Sequence, residues 1–99
     1  MQSAWPPSFV REMTCTPADW VSRLPAAIGD LCWEAGDGRA NIQVGGGRLR
    51  LSWEAMPPLA IALVRLQRLR VLFEFEGVEA PARREFMARL DLYMQRGGG

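Results

Sequence analysis

Hydrophobic positions recur every second residue through most of the second half of this chain, then every third or fourth residue near its end. Leu49, Leu51 and Trp53 alternate with Arg48, Arg50, Ser52 and Glu54. Leu69, Val71, Phe73 and Phe75 alternate with Arg70, Leu72, Glu74 and Glu76. Between these runs Leu59, Ile61 and Leu63 alternate with smaller or polar residues, and earlier Ala40, Ile42 and Val44 alternate with Arg39, Asn41 and Gln43. A period of two marks a strand with one buried face, so the odd-numbered side chains from Leu49 to Phe75 are expected to point into one interior. From Pro81 to Arg96 the period lengthens. Ala82, Phe86, Leu90, Tyr93 and Met94 then form the apolar face of a helix, with Arg83, Arg84, Glu85, Arg89 and Asp91 on the other side.

Turn and cap residues divide the rest. Phe9 to Cys15 reads as a first strand that Arg11 interrupts. Thr16-Pro17-Ala18-Asp19 is a helix start: Thr16 can cap, Pro17 sits where a missing N–H is harmless, and Asp19 falls three residues after the cap. Trp20, Leu24 and Ile28 share one face of that helix, which Pro25 should end or kink, leaving a short last turn. Leu31, Trp33 and Ala35 give a short strand, Gly36-Asp37-Gly38 a turn, and Gly45-Gly46-Gly47 a hairpin turn. Met56-Pro57-Pro58 obliges its strand to end or bulge. Leu59–Val64 and Leu69–Glu76 read as one bent strand or as a hairpin turning around Leu66–Arg68.

The predicted fold is α+β: a two-layer sandwich with an antiparallel, twisted sheet of five or six strands and both helices packed on one face, in the order strand, helix, strands, helix. Residues 1–8 form an extended N-terminal arm, 9–96 one domain, and 97–99 a flexible glycine tail. No apolar run reaches the roughly 18 residues a membrane helix needs. The first residues, MQSAWPP, carry neither the basic nor the apolar segment of a signal peptide. A cytoplasmic protein with no membrane partner is the expectation.

The side-chain inventory narrows the chemistry. There is no histidine, and the two cysteines, Cys15 and Cys32, lie too far apart and too few in number for a zinc site. The usual base for a serine or cysteine nucleophile is missing, and no cofactor loop is present, so no enzyme, metal or cofactor is expected. All 12 basic residues are arginine, and the net charge of +1 argues against non-specific nucleic-acid binding. The outward positions of the sheet still collect Arg39, Arg48, Arg50, Arg68 and Arg70, a candidate face for an anion or a partner. The competing reading pairs them across strands with Glu34, Glu54, Glu74 and Glu76.

Trp5, flanked by Pro6 and Pro7, is a candidate partner anchor. Trp20, Trp33, Trp53, Phe73 and Phe86 would line a ligand cleft if the helices stood off the sheet, or form the core if they did not. The leading function is therefore a non-catalytic binding or protein-interaction module, self-association through the sheet face or an edge included. A small apolar-ligand protein and an anion- or nucleic-acid-binding face are the alternatives.

The element order resembles the TATA-binding-protein-like two-layer arrangement, a likeness of order alone that implies no function. The stretch Phe86-Met87-Ala88-Arg89-Leu90-Asp91-Leu92-Tyr93-Met94-Gln95-Arg96-Gly97-Gly98-Gly99 is similar to the C-terminus of a small family of proteobacterial proteins without an assigned activity, with Cys15-Thr16-Pro17 and Pro57-Pro58 as further points of likeness. That resemblance implies a single-domain bacterial protein and carries over no functional residue.

Overall fold

The structure, a computed structural model that describes residues 5–96, gathers the period-two segments into one antiparallel sheet. The elements are β1 (Ser8–Met13), α1 (Pro17–Ile28), β2 (Trp33–Gly36), β3 (Arg39–Val44), β4 (Gly47–Ile61), β5 (Val64–Glu76) and α2 (Ala80–Arg96). The strands lie in the order β1-β5-β4-β3-β2, so the three hairpins of the chain stack in sequence and β1 closes the far edge. The shortest dimension is 22 Å, the thickness of one sheet and one layer of helices. The glycine tail expected at 97–99 lies outside the described residues.

The helices cover one face only. Trp20, Leu24 and Ile28 of α1 and Phe86, Met87, Leu90 and Met94 of α2 are buried against Ile42, Leu49, Leu51, Leu69, Val71 and Phe73. Each such side chain gains about 1.5–3 kcal/mol on leaving water. Met87 stands outside the helix face read from the periodicity but is fully buried. The α1 cap forms as its residues suggest: the Asp19 N–H donates to Thr16 Oγ1 at 3.1 Å. The helix also passes through Pro25 and keeps one last turn to Ile28. Tertiary partners hold that turn. Ala27 and Ile28 are buried, and Arg89 of α2 donates to the carbonyls of Ala27 and Ala26 at 2.9 and 3.2 Å, which answers acceptors that a helix end leaves open.

The sheet has five of the five or six strands expected, and of the two readings of the central segment the hairpin forms, with its turn at Ala62–Leu63 rather than around Leu66–Arg68. Ala62 holds a φ of 54°, the positive value that a two-residue hairpin loop asks of its first position. β4 does not end at the prolines. Met56 pairs with Arg68, but Leu59 pairs with Leu66, so Pro57 and Pro58 together face Gln67 in a β-bulge. Neighbouring N–H groups on a strand turn to opposite sides, so one of two adjacent prolines must fail the ladder, and the bulge removes that demand. It also reverses the alternation of β4. Leu59 and Ile61 share the face of Leu66 and Val64, which is continuous with the outward Arg68, Arg70 and Leu72. On β4 odd-numbered residues thus point inward up to Ala55 and outward at Leu59 and Ile61, whereas on β5 the odd-numbered residues keep the inward side throughout.

Candidate interaction surface

The uncovered face of the sheet has two unlike halves. The half over β2, β3 and the start of β4 is polar. Arg39, Arg48 and Arg50 gather there with Asn41 around shallow depressions, one of about 360 Å³ and a neighbouring one of about 800 Å³ that Arg48 also lines. Arg48 Nε donates to Glu76 Oε1 at 3.0 Å, and Arg50 Nη2 donates to the second oxygen of the same carboxylate. The hydrogen bond from Arg48 and then the charge of Arg50 hold the Glu76 carboxyl below its ordinary pKa. Two of the five candidate arginines are therefore committed to cross-strand pairing.

Arg68 and Arg70 stand apart from these, four or more residues further along β5 from Glu74. Arg68 donates to the carbonyl of Pro57 through Nε and Nη2 at 3.3 and 3.2 Å, clamping the bulge, and its Nη1 lies 3.7 Å from Glu12. Arg70 is in register with Glu12 on one side and Glu54 on the other. The structure does not assemble the five guanidiniums into one cationic patch.

The other half of the face, over β1, β5 and the rest of β4, mixes Val10 and Leu72 with Glu12, Glu54, Arg68 and Arg70, and leads into an apolar projection. β3 stops pairing at Ser52 and β1 stops at Leu69, whereas β4 and β5 continue as an isolated hairpin arm to the Ala62–Leu63 turn. On the arm Leu59, Ile61, Leu63 and Val64 are 42%, 54%, 101% and 55% exposed. Val10, also exposed, and Leu72 pair across β1 and β5 further back on the same face, separated from the arm by Arg68 and Arg70. Leu59 and Ile61 escaped the sequence reading because the bulge flips their parity on β4. The paired prolines were the available signal, since an uninterrupted period of two cannot pass through them.

The aromatic residues are core. Trp20 lies edge-on to Trp53 and Phe73, with ring centroids 5.9 and 6.4 Å apart, and Phe75 and Phe86 meet edge-on at 6.2 Å. Trp20, Phe73 and Phe86 are buried and Trp33 and Trp53 half-buried, so the side chains expected to line a cleft fill the space between helices and sheet. The helices lie down on the sheet because these rings are the surface they bury. Trp5 is not a projecting anchor. Its ring packs on Phe9 at 5.0 Å, the Arg11 guanidinium lies 5.4 Å from its centre, and Arg83 Nε donates to its carbonyl at 2.8 Å. The described end of the arm, from Trp5, lies along the sheet: the Phe75 N–H donates to the Pro7 carbonyl at 2.7 Å.

Cys15 is half-buried and burial pushes its thiol pKa up, with Arg23 opposing in part; Cys32 is exposed. Among the described residues no three His, Cys, Asp or Glu side chains gather to hold a metal ion, and no helix is long and apolar enough to cross a membrane. Compared with protein-family models, curated proteins and solved structures, the chain matches none.

Proposed function

We propose that this protein is a non-catalytic interaction module and that the projecting β4–β5 arm is the element that engages its partner. One observation carries the reading. Four large apolar side chains, Leu59, Ile61, Leu63 and Val64, stand in water on a hairpin that runs beyond the last ladder pairs of β1 and β3, while the described core is formed without them. Apolar surface gathered on a projection adds nothing to the fold and gains about 25 cal/mol for every Å² that a partner covers. The Pro57–Pro58 bulge and the Arg68 clamp on Pro57 give the arm a fixed base.

The test is the pair Ile61→Asp and Leu63→Asp. Each is expected to leave the melting temperature within about 2 °C of the parent protein, because the arm lies outside the core. The reading falls if either lowers it by more than about 5 °C, since the arm would then belong to the folding unit.

A further inference from the structure

Resting on the arm as the docking element, we infer that its partner is a second copy of this chain, joined edge to edge through β5 over residues 64–68 in an antiparallel two-fold register centred on Leu66. The two edges of the arm are not equivalent. The β4 edge carries Pro57, Pro58 and the bulge, which blunt it against strand addition. The β5 edge from Val64 to Arg68 contains no proline and no bulge, and β1 stops just short of it, at Met13 opposite Leu69. It is an open template in line with β1.

The hydrogen-bonding side of each residue on that edge is fixed. The Phe75 N–H donates toward the β1 side, to Pro7, and the direction alternates along a strand. Arg65 and Gln67 therefore turn their N–H and C=O groups to the open edge. A two-fold axis at Leu66 sets Arg65 opposite Gln67 of the second copy and Gln67 opposite its Arg65. Both are hydrogen-bonded pairs, giving four backbone hydrogen bonds. Leu66 then faces Leu66, and Val64 faces Arg68.

Charge selects this register. An axis at Arg65 would set two guanidiniums directly opposite each other, which destabilises a strand pair. An axis at Gln67 would place Arg65 opposite Leu69, whose edge β1 already occupies. Only the Leu66 register uses the whole open edge with no like charges opposed. It also joins the outward Val64 and Leu66 of both copies, with their ladder partners Ile61 and Leu59, into one apolar surface. The interface satisfies the isologous rule, since each contact is repeated by the axis. With five residues on each side the dimer is weak and reversible.

The experiment is register-specific cross-linking in a chain with Cys15→Ser and Cys32→Ser. Facing Leu66 residues form a non-hydrogen-bonded pair with Cα atoms about 4.5 Å apart, within disulfide reach. Leu66→Cys is expected to give a covalent dimer under mild oxidation roughly tenfold faster than Ala60→Cys, which lies on the β4 strand of the same arm. In sedimentation the parent chain is expected to show a concentration-dependent dimer that Gln67→Pro abolishes while circular dichroism stays unchanged. Equal cross-linking at both positions, or a parent chain that remains monomeric, overturns the inference. If Ile61→Asp and Leu63→Asp still leave the fold intact in that case, the arm serves another partner and the proposed function stands. If they unfold it, both fall.

Discussion

Arg11 Nη1 lies 2.6 Å from Asp91 Oδ1, where the helix-facing side of β1 passes beneath α2. This contact explains the one charged residue that breaks the apolar alternation of the first strand. Arg11 faces inward, but it meets a carboxylate and the Trp5 ring instead of the core. The N–H does not align on the oxygen, so the pair is held by charge rather than by a directed hydrogen bond. Both side chains are 29% exposed, which places the pair between a buried and a surface ion pair.

Arg11→Ala is therefore expected to destabilise by about 1–2 kcal/mol, and a double-mutant cycle with Asp91→Ala to give a coupling of about 1 kcal/mol. Chemical denaturation of the four proteins measures it. A coupling near zero would leave only the packing of Arg11 on Trp5.

Gly46, in the turn, and Gly47, the first residue of β4, are neighbours that should respond very unequally to a side chain. A Cβ on Gly47 would fall 2.0 Å from the Glu76 carbonyl oxygen and 2.5 Å from the Gly77 backbone, which cannot move without breaking the β4–β5 ladder. A Cβ on Gly46 would meet nothing within 4 Å. Gly47→Ala is expected to cost more than about 2 kcal/mol and Gly46→Ala less than about 0.5. Urea midpoints of the two variants decide it.

Ala62 pays for its position at the arm tip, where a φ of 54° is a region that L-residues enter at about 1 kcal/mol or more. Ala62→Gly should relieve part of this and slow the local opening of the hairpin. Hydrogen exchange at Leu59 and Leu66 is the readout, with protection rising a few-fold. Unchanged or reduced protection would show that the turn does not limit opening.

Glu76 links stability to pH. Its folded-state pKa is lowered, by the Arg48 hydrogen bond first and the Arg50 charge second. A lowered carboxyl pKa stabilises the fold above the unfolded value, about 4.3 for glutamate, and that contribution is lost as pH falls through the folded value. The melting temperature should therefore fall more steeply below about pH 4 in the parent protein than in Glu76→Gln. Parallel curves would mean that the two arginines do not discriminate between the protonation states of Glu76.

Much of the architecture was legible in the residues. The alternation at Ala40–Val44, Leu49–Trp53 and Leu69–Phe75 located inward faces that are buried or half-buried, and Thr16 and Pro17 marked the start of α1. The candidate surface was less legible. Arg48 and Arg50 were outward as read, but their shared grip on Glu76 depends on a strand pairing 26 and 28 residues away. The aromatic set was located correctly but could be core or cleft until the helices were seen lying on it. Pro57-Pro58 announced an interruption without saying whether β4 would stop or bulge.

What the sequence determined by itself is the layering: a half-buried strand must repeat every two residues and a half-buried helix about every 3.6, and these periods are written locally. What only the tertiary structure decided is the arm. One extra residue at Pro57–Pro58 exchanges the faces of everything beyond it on β4, and whether a face is covered depends on where β1 and β3 stop. Those are properties of strands distant in the chain, so the same alternation that marks a core from Leu49 to Trp53 marks an exposed apolar projection from Leu59 to Val64.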